Sequence, residues 1–410
     1  MGAKIRKSAT VKGYPLDIRD NLKVSFVGNF YNHGDPLAQW ATGFVLLLSK
    51  VKRIKEINVL CPSNSGGKAD LPLPNHIRVR PCFDLEKPLT LINLLKELRN
   101  QQADIVFFNL NSTSFGNRSL TNLIGLLLTF FAPLFGKKYK IIYHSSVITN
   151  DPTKLGYNKP YDKLRTAVLS VIEFSIFRFL DTFVLLDTYK TTIDKVVRKN
   201  RVKTLKNHYL EAMPTVFING LMEQSELQKE INGNELQPTI LLPGSWGPQK
   251  NLELALKSLS NLRKNGYKFN TVVTGGPNSH FADYAQIFNR LISEYGEIIT
   301  ERVGYVPESE MMGIFLRADL ILMPYNTSGG HSGILEMAAF FEVPLIGISF
   351  TEYEEKKKEL NSQIVLTAKE NFEKEIQKYL DSWTNRTLKS ISITDKVNRS
   401  ASELSTILDM

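Results

Sequence analysis

The sequence predicts an α/β protein of two doubly wound domains facing across a cleft, on three observations. Short, wholly apolar runs alternate with amphipathic stretches along most of the chain, the pattern of parallel strands joined by helical crossovers. The alternation pauses in a polar segment after Gly220 and then restarts. At 410 residues the chain is natural for two domains and long for one.

The first half begins with a polar, basic leader. KVSFVGNF, Lys23 to Phe30, reads as an apolar strand, followed by the loop YNHGDPLAQ and an apolar helix through Ser49. EINVLCP gives a second strand ending at Pro62, and after the turn-rich NSGGKADLPLP the segment HIRVRPC gives an alternating third. TLINLLKELRNQQ sets its apolar residues at helical spacing, and ADIVFFNL follows as a buried strand. Leu123 to Phe135, LIGLLLTFFAPLF, is the most apolar run in the chain, yet shorter than the roughly 18–20 residues that span a bilayer. It reads first as a core helix. The basic GKKYK after it permits a second reading, a helix lying in an anionic membrane interface. KIIYHSS is a strand ending at His144, and a long helix from Lys163 to Asp181 leads into TFVLLD. TVFING, ending at Gly220, closes this half.

Beyond it, TILLPGS, KFNTVVTGG, EIITERVGYV and ADLILMP read as strands. NLELALKSLSNLRKNG, FADYAQIFNRLISEYG and ESEMMGIFLRA read as the helices between them. The repeat is one of architecture, not of residues. The expected domains are 1–220 and 221–385, joined by a polar linker from Leu221 to Pro238. A helical tail over 386–410 has the first domain as its candidate packing partner.

A ligand of such a pair belongs at the carboxyl ends of both sheets, in the cleft. The stretch from Pro324, PYNTSGGHSGILEMAAFF, fits that place. Ser328, Gly329, Gly330, Ser332 and Gly333 allow a tight turn and present free amides at a helix start, which suits an anion. Glu336, one turn inside the helix, reaches a polar group at that mouth, such as a sugar or ribose hydroxyl. An ordinary strand-loop-helix joint with a first-turn Glu favoured by the helix dipole carries the same letters.

Composition narrows the partners. Hydrophobic content of 42%, charged content of 22% and 25 Gly describe a globular protein. Cys61 and Cys82 have no metal-ligand spacing and form no disulfide framework, which fits a reducing, cytoplasmic compartment. The formal charge of +10 accommodates nucleic acid, an anionic membrane surface or a phosphorylated substrate. Neither a Cys/His finger spacing nor the aromatic signature of an RNA-binding sheet is present, so nucleic acid is not expected. Lys356, Lys357 and Lys358, flanked by acids, read as one exposed helix face. The leader lacks the apolar region of a signal peptide, and Arg6 occupies the Ser/Thr position of a myristoylation motif. Triplets of N-x-[ST] type carry meaning only in a secreted chain.

Four segments of the second half, in order and at matching separations, resemble the nucleotide-sugar domain of retaining glycosyltransferases of the family 4 type. LLPGSWGPQKNLELALKSL matches a strand, G-R-x-x-x-x-K-G/N and helix, with Gly244, Lys250 and Asn251 in place. TVVTGGPN matches the next strand and Gly-rich turn. RVGYVPESEMMGIFLRADLILMPY and the stretch from Pro324 match the two segments that follow. Together they span Thr239 to Ile348. In the first half the resemblance is looser and rests on the glycine loop Gly28 to Asp35, which holds Gly34, on His144 at a strand end, and on FING near Gly220.

The resemblance implies the GT-B fold, with two Rossmann-like domains and a nucleotide diphosphate sugar as co-substrate rather than a bound cofactor. No D-x-D element occurs, and no metal is expected. Lys250 would neutralise charge on the departing diphosphate, beside Ser245, where the family holds an Arg. Gly330, His331, Ser332 and Gly333 would offer amides to the diphosphate, and Glu336 would accept from ribose hydroxyls. Tyr305 and Val306 resemble the segment that packs on the base. Ser328 stands where the family places the first Glu of E-x7-E. His144 is the first domain's candidate for contact with the transferred sugar, a core hydrogen-bonding role being its plain alternative. The implied reaction moves a hexose to an acceptor hydroxyl of a glycan or lipid-linked acceptor, with an anionic membrane surface at the inner face of the plasma membrane as a further candidate partner. A sugar-nucleotide epimerase of the same fold and a non-catalytic nucleotide-sugar-binding protein are the competing readings.

Overall fold

A computed structural model describes residues 21–31, 36–63, 73–85, 87–116, 119–131, 138–150, 160–205, 237–278, 281, 283–304, 306, 308–327, 332–360 and 363–383. The expected strand TVFING, the boundary at 220/221 and the tail at 386–410 lie outside these residues, as do most of the linker and the leader.

The first sheet has seven parallel strands in the order β3-β2-β1-β4-β5-β6-β7. These are β1 (Leu22–Val27), β2 (Ile54–Pro62), β3 (Ile77–Phe83), β4 (Ile105–Leu110), β5 (Lys138–Tyr143), β6 (Thr182–Val184) and β7 (Val202–Thr204). β1 and β4 are buried almost throughout, because helices cover both faces of a parallel sheet. α1 (Pro36–Ser49) packs on one face. α2 (Leu91–Asn100), α3 (Ser119–Leu128), α4 (Pro160–Phe179) and α5 (Asp187–Val196) pack on the other. α4 starts three residues before the expected Lys163, with Pro160 at its first position, where a missing amide proton costs nothing.

The second sheet has six parallel strands, β10-β9-β8-β11-β12-β13. They are β8 (Thr239–Leu242), β9 (Asn270–Thr274), β10 (Glu301–Val303), β11 (Leu320–Met323), β12 (Leu345–Ile348) and β13 (Ile364–Thr367). β10 is much shorter than the expected EIITERVGYV, since Gly296–Ile298 forms a 3-10 turn ahead of it. α6 (Leu252–Lys264), α7 (Tyr284–Glu294) and α11 (Phe372–Asp381) cover one face. α8 (Glu308–Arg317), α9 (Gly333–Phe340) and α10 (Thr351–Leu360) cover the other.

Strand order reverses between β1 and β4 in one sheet and between β8 and β11 in the other. Diverging loops at such points leave a crevice at the carboxyl ends. Among the described residues no helix is long and apolar enough to cross a membrane.

Candidate active site

At the second sheet's switch point, the loops after β8, β9 and β11 are tied into one block. Trp246 is fully buried; its indole donates to the Thr274 carbonyl at 2.9 Å and its amide to the Gly276 carbonyl at 2.8 Å. Asn278 donates back to the Trp246 carbonyl at 2.6 Å. Gly275 has φ +79°, and a Cβ there would lie 1.8 Å from the Gly244 carbonyl oxygen. Only glycine fits that approach.

Lys250 closes the 3-10 turn Pro248–Lys250, and Asn251 behind it takes the left-handed conformation at φ +47°. The Lys250 ammonium donates to the Tyr325 hydroxyl at 3.2 Å and lies 4.9 Å from the Tyr325 ring centroid. A Cβ on Gly244 would press on Lys250 Nζ at 3.2 Å, so the bare glycine leaves the lysine its place. Asn326 secures the β11 loop by donating its amide to the Gln249 carbonyl at 2.7 Å. Gly244, Lys250 and Tyr325 are thus brought together, with Ser245 exposed beside them. Tyr325 carried no role in the sequence reading; the signal for it is its place one residue beyond the proline that ends β11.

Ser332 precedes α9 in extended conformation, its carbonyl accepting from the amides of Leu335 and Glu336. Gly333 is exposed, with open space where a Cβ would project. Glu336 is buried, and its carboxylate lies 3.3 Å from the ammonium of Lys356, which is 0% exposed and also reaches Glu359 at 3.0 Å. This corrects the expectation of one exposed lysine face: α10 turns Lys356 inward and leaves Lys358 outside. Burial pulls the Lys356 ammonium down, and Glu336 and Glu359 together more than offset that, leaving it above its ordinary value. Val306 packs into the hydrophobic cluster with Leu335 and Tyr325. Gly34, Tyr305, Ser328, Gly330 and His331 lie outside the described residues.

In the first domain, His144 follows β5. Its Nε2 is 2.6 Å from Asn109 Oδ1 and its ring meets Trp40 edge-on at 4.4 Å. Gly28, at the end of β1, approaches so closely that a Cβ would lie 2.9 Å from that of Asn109. The residues flanking His144 converge on a carboxylate the sequence reading passed over. Glu173, fully buried on α4, accepts from Tyr143 Oη and Ser112 Oγ at 2.8 Å each, from Ser146 Oγ at 2.5 Å and from the Val147 amide at 2.9 Å. Burial raises its pKa although four donors face it. Glu173 therefore fixes the loops after β4 and β5, on both sides of His144. A lone Glu within an apolar helix is the signal that marks it.

The two domains meet next to these loops. Tyr31, in the loop after β1 at φ +38°, packs against the cores of both. Glu355 of α10 accepts from the amides of Asp187 and Thr188 and from the Thr188 hydroxyl, capping α5 across the cleft. One residue pair earlier on the same helix, buried Tyr353 stands edge-on to Tyr325 at 6.4 Å. Among the described residues no three His, Cys, Asp or Glu gather as a metal site.

Neither a family model nor a curated protein matches the sequence. Solved structures do. Sucrose-phosphate synthase from Thermosynechococcus elongatus superposes with TM-score 0.65 at 14% identity, covering 95% of this chain and 98% of its own. HepE from Anabaena in complex with UDP-glucose gives 0.59 at 12%, over 94% of this chain and all 100% of the other. The chain adopts the GT-B fold. The same GT-B architecture gives a TM-score of 0.55 at 13% identity with a UDP-GlcNAc 2-epimerase from Methanocaldococcus jannaschii, over 95% of this chain and 99% of that one.

Proposed function

We propose that this protein is a glycosyltransferase that moves a hexose from a nucleotide diphosphate sugar to an acceptor hydroxyl. The reading is carried by the juxtaposition at the second switch point. A lysine fixed by Tyr325 and a buried glutamate at a helix start flank the loops where an anionic ligand of this fold belongs. Lys250 neutralises charge on the leaving diphosphate, and Glu336, held by Lys356, accepts from ribose hydroxyls. Ser332 and Gly333 offer amides to the phosphates, with Gly330, His331 and Ser328 assigned to the same loop by the sequence resemblance. His144, steadied by Asn109, faces the transferred sugar. Retention of configuration and the family 4 relationship follow from that resemblance, and a split of the chain near residue 220 follows from the polar segment between the two strand-helix series. The acceptor is a lipid-linked or surface glycan at the cytoplasmic membrane face, and the chemistry needs no metal or bound cofactor.

A thermal-shift panel of UDP-, GDP- and ADP-sugars tests the donor site. A ligand at a hundredfold its Kd adds about 2.7 kcal/mol to the folded state. Stabilisation by a sugar nucleotide that is reduced in Lys250→Ala and Glu336→Gln is expected, and no stabilisation by any of them sinks the reading. Epimerase relatives in fold make one alternative concrete: turnover of the stabilising donor to an isomer without acceptor favours epimerisation, whereas acceptor-dependent release of the nucleotide favours transfer.

A further inference from the structure

Two neighbouring helices of the first domain turn apolar ridges to solvent. On α3, Leu120 is 59% exposed and Leu127 continues the same face at helical spacing, with exposed Phe131 in the turn that follows. On α4, Leu164 is 66% and Val171 68% exposed, with Val168 between them. The opposite side of α4 is the one that packs, through Leu169, Ile172, Ile176 and Phe177. A helix that is apolar all round belongs inside a protein or a membrane, and α4 buries only one side. Nine of the fourteen exposed large apolar side chains among the described residues fall on α3, α4 or the turn that follows α3. Scattered apolar residues are normal on a surface, but concentration of this kind marks an interaction site.

Charge decides which partner fits. Residues 119–131 carry no charged side chain at all. Cations stand at both ends of the ridges. Lys163 is exposed and Arg165 half-buried near the start of α4, beside half-buried Asp162, while Lys138 is exposed at the start of β5, which lies at the opposite end of α4 because β5 runs parallel to β6, the strand α4 leads into. At that same end, Arg178 lies 5.9 Å from the ring centroid of the exposed Phe179 and donates to the backbone carbonyls of Arg198 and Lys199, whose own side chains are exposed. Asp181 pairs with Arg201 at 3.6 Å. An apolar strip rimmed by lysine and arginine complements a bilayer with anionic headgroups, the apolar side chains entering the acyl boundary and the cations meeting phosphates.

We infer that the α3–α4 face docks the protein onto an anionic lipid bilayer. α3 leaves the loop after β4, and α4 carries Glu173, which fixes that loop and the one after β5. The docked face therefore borders the His144 side of the cleft. Docking itself stands without the transferase reading; its use in presenting a lipid-borne acceptor to that side rests on it.

Flotation of the full chain with phosphatidylcholine vesicles, alone or with about a third phosphatidylglycerol, tests the docking. Binding to the anionic vesicles that weakens with salt is expected. L164D/V171D and R198E/K199E are each expected to lower partition about tenfold or more, at unchanged melting temperature and unchanged response to sugar nucleotides. Absence of partition by the wild type overturns the inference, as does equal partition by both variants. Analytical ultracentrifugation supplies the other arm: a dimer that L164D/V171D dissolves, without vesicle binding, assigns the face to a second copy and also overturns it. Vesicle binding that persists when no sugar nucleotide stabilises the chain separates failure of the donor reading from failure of this one.

Discussion

Replacing Lys356 by Met keeps the length of a fully buried side chain and removes its charge. At 3.3 Å from Glu336, the ion pair has a Coulomb attraction of about 5 kcal/mol at an effective dielectric near 20. Desolvation of both charges offsets much of that, so the pair adds little over apolar neighbours of the same size. Breaking it is different, because the Glu336 carboxylate stays buried without its cation. The expected loss is about 3–5 kcal/mol, or about 6–20 °C in Tm for a domain of this size. Glu359 is part-exposed and rehydrates, so it adds little to the loss. Thermal and urea unfolding of K356M, E336Q and the double variant form the assay. The double variant should recover more than about 1 kcal/mol relative to the sum of the singles. A single-variant loss under about 1 kcal/mol, or simple additivity, refutes a coupled buried pair.

Gly275→Ala should be poorly tolerated, since its Cβ would meet the Gly244 carbonyl at 1.8 Å in a left-handed backbone; a loss above about 2 kcal/mol and a weakened response to sugar nucleotides are expected in a melting assay. For Glu173 the folded pKa is raised above the unfolded value near 4.5, so the native state holds the extra proton and stability falls as pH rises through that window. Urea titrations from acid to neutral pH should show this slope in the wild type and a flatter one in Glu173→Gln. Glu355→Ala removes the cap on α5 that comes from the other domain. About 1 kcal/mol should be lost, and calorimetry should show the two domains melting further apart; an unchanged single transition contradicts the bridging role.

The fold was legible wherever burial wrote itself into composition. ADIVFFNL and ADLILMP are apolar throughout because both faces of their sheets are covered, and they became β4 and β11 at the centres of the two sheets. Short edge elements were not. β7 and α5 carry mixed sequences whose burial is set by neighbours rather than by period. In the candidate site, Lys250 was picked out by the family resemblance of its segment and Glu336 by its place one turn inside the helix that follows a Gly/Ser loop. Lys356 was misread as a solvated face because the run TEYEEKKKEL shows no apolar stripe; only the packing of α10 against α9 reveals which lysine turns inward. Glu173 stood out only as a lone Glu within an apolar helix; its role could not be read, since its four donors come from segments distant in sequence.

α10 deserves its polar sequence. Over four residues it sends Tyr353 to the Tyr325 ring, Glu355 to the amides of Asp187 and Thr188, and Lys356 to Glu336. These partners belong to the loop after β11 that holds Lys250 in place, the first domain and the α9 start. An apolar face would have packed equally well against any of them, whereas an aromatic edge, a carboxylate and an ammonium each fit only one. The helix can sit in one rotation and one register, and moving the first domain's α5 by even a hydrogen-bond length pulls on the same rigid turn that holds Glu336. Any relative motion of the two domains is therefore expected to be felt at Glu336, and E355A should alter the melting response to sugar nucleotides even though Glu355 lies on the interdomain side of α10. An identical response in E355A and wild type would show that the turn transmits nothing.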